Sequence, residues 1–364
     1  MKLLFVARRF PPDVRSGTET VFSTLYRLAA STDEARLVVG WRTSPAQFPE
    51  GAVAVDLRGG GPGAYLRLAA AAEREARAWR PDAVLSNSVE VVPATGRTAL
   101  IVHDLNFGRA GRAASAGPRE LVYRLQCGRA ARVVAVSEAT RDRLVAIGVP
   151  AGRIEVIPNG VDLDVAHGPP PPAPPVSPPA PLRAPPAPVV RFVCPGRILP
   201  GKGQHAAIDA LGRLRPDQRW RARLTVVGAV ADPIYLDQLR VQAFGLPVEF
   251  ATDVPDLAPY YRDSDVVLFP TLMEEGFGLV ALEAMAHGRP VIYYDQPAVR
   301  GATGGVAIPV ARDDAAALRD AMWRLMEDPA RREALGRAGR THAERRGWAT
   351  VWSEYRALLA GVAR

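Results

Sequence analysis

The chain has 364 residues, 48% hydrophobic and 23% charged, with a formal net charge of +8. These values exclude a wholly disordered or collagen-like chain, and the length leaves room for two domains, each with its own core. No apolar run approaches the ~20 residues that span a bilayer, and Cys127 and Cys194 have neither zinc-site spacing nor the makings of a disulfide framework.

The positive charge sits unevenly. Residues 1–164 carry 22 basic and 17 acidic groups, whereas residues 189–364 carry 23 and 21. Much of the surplus is a run of arginines from Arg109 and Arg112 through Arg119, Arg124 and Arg129 to Arg132. The bland reading is a solvated basic surface; the sharper one is an anionic acceptor or peripheral contact with an anionic membrane. No nucleic-acid partner is expected. Met1 to Ala7 holds too few apolar residues for a signal peptide before Arg8 and Arg9, so the expected location is cytoplasmic.

Along the chain, short apolar runs alternate with stretches of helical period. The first half reads as strands at Leu3–Ala7, Leu37–Val39, Val53–Leu57, Ala83–Leu85, Ala99–Val102, Val133–Val136 and Ile154–Ile157. The second half repeats the logic at Val189–Cys194, Leu224–Val227, Val248–Ala251, Val266–Phe269 and Val291–Tyr294. Nearly continuous apolar strands separated by helices predict α/β domains with parallel sheets covered on both faces. Ligands of doubly wound folds bind beyond the carboxyl ends of strands, so function is to be sought just after these runs.

Between the halves, twelve of the twenty residues from Pro169 to Pro188 are proline. Proline lacks an amide donor and fixes its φ angle, so this stretch predicts an extended linker. The expected organisation is a first domain over 1–165, a proline-rich linker over 166–188 and a second domain over 189–347. The segment 348–364 has helical spacing.

Two stretches can carry chemistry. The first, Arg191 to Gln204, reads as a strand, a glycine-containing turn and a helix start. Its turn would present amides to an anion, with Arg197 and Lys202 as fixed cations. Lys202 is notable because the 46 basic residues include only one other lysine, Lys2. Gly196 to Lys202 nearly satisfies the P-loop pattern, but Gly203 stands where a P-loop needs a magnesium-binding hydroxyl. The second stretch, Pro270 to Gly288, follows the strand Val266–Phe269. Glu275 precedes a helix whose start carries Gly276, Phe277, Gly278 and Leu279, and Glu283 lies two turns further on. Two carboxylates so spaced can accept hydrogen bonds from hydroxyls on one ligand. His103 follows the strand Ala99–Val102, again at a carboxyl edge. Asp162-Leu163-Asp164 and Asp263-Ser264-Asp265 match the metal-binding D-x-D pattern, which is common by chance, and no metal is expected. His205 and His287 read as structural.

Arg197 and Lys202 in a GR-x4-KG arrangement, followed by EGFGLVALEAMA with its E-x7-E spacing from Glu275 to Glu283, resemble glycosyltransferase family 4. The likeness extends to Arg8–Pro12, Ser16-Gly17, His103-Asp104, Val136–Glu138, Pro158–Asp162 and Phe269–Thr271. It implies the GT-B fold, two doubly wound Rossmann-like domains facing each other across a cleft, with the helix 348–364 packing back on the first domain. It also implies a retaining, metal-independent enzyme that uses a nucleotide sugar, UDP- or GDP-linked, as substrate and needs no cofactor. By the same resemblance, Arg197 and Lys202 hold the donor pyrophosphate, Glu283 the ribose hydroxyls and Glu275 the donor sugar. His103 sits beside that sugar, Gly17 offers its backbone to the phosphates, and Gly276, Phe277, Gly278 and Leu279 complete the donor site. Asn106, Arg109 and Arg112 are candidates for an acceptor that is a glycan, a lipid-linked glycan or a small natural product. The family commonly has two adjacent glycines where this chain has Ser16-Gly17, and the proline segment is not a usual family feature. An epimerase or phosphorylase on the same fold, a non-catalytic sugar-nucleotide binder and, remotely, a P-loop NTPase are the competing readings.

Overall fold

The computed structural model describes residues 1–11, 16–42, 48–105, 118–164 and 188–363. The chain divides into two compact units, one formed by Met1–Gly160 with Trp348–Arg364 and the other by Val161–Gly347.

The first unit runs β1 (Lys2–Ala7), α1 (Gly17–Thr32), β2 (Glu34–Trp41), β3 (Val53–Asp56), α2 (Gly61–Trp79), β4 (Ala83–Ser86), β5 (Thr98–Val102), α3 (Pro118–Arg129), β6 (Arg132–Ala135), α4 (Glu138–Ala146) and β7 (Ile154–Val156). Among the described residues its strands form one seven-stranded parallel sheet in the order β3-β2-β1-β4-β5-β6-β7. The central strands are apolar on both faces because helices cover both. Leu4, Val6, Val38 and Val84 pack under the small face of α2, made by Ala64, Leu68, Ala71, Ala72 and Ala76. Leu100, Val102 and Val133 pack with Cys127 of α3 and Leu144 of α4. Ser137 starts α4 by accepting a hydrogen bond from the Thr140 amide at 3.0 Å, which satisfies one of the helix's free donors.

The second unit runs β8 (Val190–Pro195), α5 (Gln204–Gly212), α6 (Pro216–Arg219), β9 (Ala222–Gly228), α7 (Pro233–Gln242), β10 (Val248–Thr252), α8 (Ala258–Asp263), β11 (Val266–Phe269), α9 (Leu279–Ala286), β12 (Val291–Tyr294), α10 (Pro297–Thr303), β13 (Ile308–Val310), α11 (Ala315–Glu327) and α12 (Pro329–Glu344). Its parallel sheet has the order β10-β9-β8-β11-β12-β13. Sequence reasoning finds the first five of these strands and misses β13, which has only three residues, with Pro309 in the middle. Proline is tolerated there because β13 is an edge strand.

The last helix, α13 (Trp348–Ala363), belongs to the first unit and packs on α1, β4 and β5. Its Trp352 indole N–H donates to the Thr32 hydroxyl at 3.2 Å, and Arg356 pairs with the buried Asp33, which also binds the N-terminal ammonium at 2.7 Å. Among the described residues no helix is long and apolar enough to cross a membrane.

In each sheet the winding reverses between two adjacent strands, β1 and β4 in the first unit and β8 and β11 in the second. Such a reversal opens a crevice beyond the strand ends, since the flanking connections leave in opposite directions. In the second unit two loops fill its floor. Gly203, between the short 3-10 turn Pro200–Lys202 and α5, has φ +72°, and a Cβ there would fall 1.9 Å from the Pro270 carbonyl oxygen. Gly203→Ala is therefore expected to cost about 2–4 kcal/mol, combining left-handed strain with overpacking, as measured by denaturant unfolding.

Candidate active site

The loop after β8 carries Arg197 and Lys202. The Arg197 side chain is exposed, while its backbone carbonyl accepts a hydrogen bond from the buried Gln204 amide at 3.0 Å. The loop after β11 is bound directly to this one. The Gly201 carbonyl accepts from the Leu272 and Met273 amides, both at 2.9 Å. That contact brings Lys202 to Glu275, with Nζ 2.6 Å from Oε1 and the two side chains 17% and 16% exposed. The Thr271 hydroxyl donates to the same carboxylate oxygen at 2.9 Å. A third strand end joins in, because Gln296 after β12 accepts from the Glu275 amide and donates to the Thr271 carbonyl, both at 3.0 Å. Gln296 is buried.

Phe277 is buried beneath this loop, and Gly278 caps α9 with φ +110°, a Cβ there lying 3.2 Å from Val299. The Ala281 and Leu282 amides both turn back to the Gly278 carbonyl. The Leu279 and Val280 amides have no carbonyl before them in the helix. Gly276 lies between Glu275 and Phe277, half-buried.

Glu283 projects from the second turn of α9. Its Oε2 accepts from the Tyr261 hydroxyl at 2.8 Å. Burial pushes its pKa up to about 7 from the ordinary 4.5, an effect that the Tyr261 hydrogen bond reduces and the Asp256 carboxylate adds to. Burial, and then the Glu283 charge, hold the Tyr261 phenol well above its ordinary range.

In the first unit, Gly17 is the first residue of α1 and is exposed, and the preceding Ser16 hydroxyl bonds to Glu19 rather than capping the helix. His103 lies after β5, half-buried. Burial lowers its pKa to about 4, and its Nε2 has no hydrogen-bond partner among the described residues. The imidazole is therefore neutral at pH 7 and cannot act there as a fixed cation. Asn106, Arg109 and Arg112 lie outside the described residues. The two D-x-D matches are used locally, since Asp265 binds Arg191 at 3.2 Å and Asp162 accepts from the Asp164 amide.

The second unit thus gathers Arg197, Lys202, Glu275 and the start of α9 around the β8/β11 crevice, with Glu283 on the same helix. Thr271, Gln296 and Tyr261 are additions that sequence reasoning does not single out as site residues. Thr271 falls in a motif of the family likeness, whereas Gln296 has only its place after a strand as a signal. Tyr261 resembles any core aromatic.

The raised Glu283 pKa makes this carboxylate a stability cost at neutral pH. The folded chain binds its proton more tightly than the unfolded chain, so the favourable contribution is complete below pH 4.5 and is lost as pH rises through about 7. Glu283→Gln is accordingly expected to raise the melting temperature at pH 8, with a smaller gain at pH 5, by scanning calorimetry at both values.

Comparison with known proteins adds a family to this geometry. Residues 15–165 match the model described as Glycosyltransferase Family 4, and residues 189–328 match Glycosyl transferases group 1. A D-inositol 3-phosphate glycosyltransferase of Kineococcus radiotolerans is 37% identical over 60% of this chain and 54% of its own length. A GDP-mannose-dependent alpha-(1-6)-phosphatidylinositol monomannoside mannosyltransferase of Mycolicibacterium smegmatis is 33% identical over 63% of this chain and 62% of its own. The matched segments thus span little more than half of these relatives. Among solved structures, Anabaena HepE in complex with UDP-glucose superposes with a TM-score of 0.77 at 18% identity, covering 99% of this chain and 100% of its own. Sucrose-phosphate synthase of Thermosynechococcus elongatus gives 0.77 at 20% identity, covering 99% of each chain. The fold is GT-B, and each unit carries a glycosyltransferase match, the first to the family 4 model and the second to the group 1 model.

Proposed function

We propose that this protein is a retaining, metal-independent glycosyltransferase that moves a sugar from a nucleotide diphosphate sugar to an acceptor hydroxyl. The observation that carries this reading is the cluster of Lys202, Glu275 and Thr271 locked together at the β8/β11 reversal, with the exposed Arg197 on the same loop. Lys202 and Arg197 are cations placed where a diphosphate meets the strand ends, and the start of α9 adds free amides. The donor is UDP- or GDP-linked, a reading supported by HepE, solved with UDP-glucose, and by a relative named as GDP-mannose-dependent.

In the reaction, the bond from the sugar anomeric carbon to the diphosphate oxygen breaks, and a bond to the acceptor oxygen forms on the same face. The leaving diphosphate takes the acceptor proton. Arg197 and Lys202 stabilise the negative charge that builds on the diphosphate. Glu275, fixed by Thr271 and Gln296, receives the sugar hydroxyls. Neutral His103, on the first unit, orients the sugar rather than attacking it.

The acceptor belongs to the first unit and is carried on an anionic surface. Here α3 exposes Leu121, Val122 and Leu125 beside the exposed Arg124 and Arg129, with Arg132 just beyond the helix. An apolar stripe flanked by arginines has the chemistry of a helix lying in an anionic lipid interface. The protein would then work at the cytoplasmic face of a membrane.

Purified protein incubated with UDP-, GDP-, ADP- and dTDP-sugars in the presence of EDTA is expected to show a thermal shift and slow diphosphate release with one of them. Lys202→Ala is expected to lower kcat by about 10^2-fold; wild-type turnover in that variant would sink the assignment. An epimerised sugar nucleotide, or a free sugar phosphate, in place of a glycosylated acceptor would instead identify an epimerase or a phosphorylase. Sedimentation with phosphatidylglycerol vesicles tests the membrane reading. Leu125→Glu is expected to weaken binding several-fold, whereas neutral phosphatidylcholine vesicles bind neither protein.

A further inference from the structure

Glu283 is held from two directions by residues outside the motifs that mark the site. Tyr261, at the end of α8, is 2% exposed and donates its hydroxyl to Glu283 Oε2. Its ring lies against the His287 imidazole, with centroids 5.1 Å apart and planes inclined by 32°. His287 in turn donates from Nδ1 to the Glu283 backbone carbonyl at 2.8 Å, since a carbonyl can only accept. Tyrosine and histidine thus stack on each other while one fixes the Glu283 side chain and the other its backbone.

The consequence concerns the two carboxylate oxygens. A carboxylate offers about four acceptor positions over both oxygens. With Oε2 committed to Tyr261, Oε1 is the oxygen left for a ligand, and its direction is set by a buried ring that cannot swing away. The same hydroxyl supports the ionised form that a hydroxyl-bearing ligand needs as an acceptor.

We propose that Tyr261 is a positioning residue that orients Glu283 toward the ribose hydroxyls of the bound nucleotide and so sets a preference for ribonucleotides over 2′-deoxyribonucleotides. The proposal rests on the reading of the second unit as the nucleotide-sugar site. The other groups facing this pair are Asp256, from the loop before α8, which acts on both Glu283 and His287, and Arg262 and Arg289, which act on His287.

The test is equilibrium binding of UDP and GDP, each against its 2′-deoxy counterpart, to wild type, Tyr261→Phe and Glu283→Gln. The wild type is expected to prefer the ribonucleotide about tenfold, the worth of one hydrogen bond to a charged acceptor. Tyr261→Phe keeps the stacked ring and is expected to reduce that preference below about threefold, with deoxynucleotide affinity unchanged. Glu283→Gln should behave alike. The unchanged deoxynucleotide affinity reports an intact fold and diphosphate site, which a merely structural defect would not leave. A full preference in Tyr261→Phe overturns the role of Tyr261. Absence of a preference in the wild type overturns the ribose assignment of Glu283, and failure of both nucleotides to bind overturns the function reading, each taking this proposal with it. Should Tyr261→Phe not fold, Tyr261→Met, which also lacks the hydroxyl that reaches Glu283 Oε2, is measured in its place and read in the same way.

Discussion

The candidate site depends on one contact, the Gly201 carbonyl receiving the loop after β11. Two backbone amides converge on that oxygen, and Gly203 lets the Pro270 carbonyl come closer than any side chain would allow. Because β8 and β11 are neighbours only through the reversal of winding, residues 73 apart in sequence become partners, and Lys202 reaches Glu275. A largely buried ion pair carries a desolvation cost that its mutual attraction alone does not reliably offset. Here the Thr271 hydroxyl adds a second donor to the carboxylate, and Gln296 fixes the backbone beneath it. The result is a set of charges whose geometry is fixed by the chain's own contacts.

The first unit is built on a different constraint. Its sheet is covered partly by α13, a helix that the chain supplies only after the second unit has been traversed. Val351, Trp352, Tyr355, Leu358 and Leu359 are buried in that unit, so its core is completed by the carboxyl-terminal segment. Asp33 joins the two segments chemically, taking the Met1 nitrogen and Arg356 on one buried carboxylate. The second unit is an insertion into the first in this covalent sense, entered after Gly160 and left before Trp348.

The sheets were legible in the sequence because parallel strands buried on both faces leave runs such as Leu3–Ala7 and Val266–Phe269 that neither a loop nor a surface helix would carry. β13 was not, because three residues around Pro309 have too little period to register. Arg197, Lys202, Glu275 and Glu283 stood out through residue type and spacing within single stretches. What spacing cannot give is the partner of each. The Lys202–Glu275 pair, the Gln296 bridge and the Tyr261 hydroxyl are long-range contacts. Gln296 and Tyr261 are also residue types that a core or a loop uses for many purposes, so nothing local marks them.

Glu283 and His103 show how burial shapes chemistry in this fold. Each has lost water, and each is driven toward its neutral form, the carboxyl up to about 7 and the imidazole down to about 4. The consequences differ. His103 is neutral across the physiological range and can serve only through hydrogen bonds and shape. Glu283 is poised between forms, and a ligand that donates hydroxyls to it favours the ionised one. Under the proposed reading, ligand binding at Glu283 is linked to release of a proton, and the Tyr261 hydrogen bond reduces the free energy needed for that release. A site on an exposed carboxylate would have no such coupling, because water would already hold the charge.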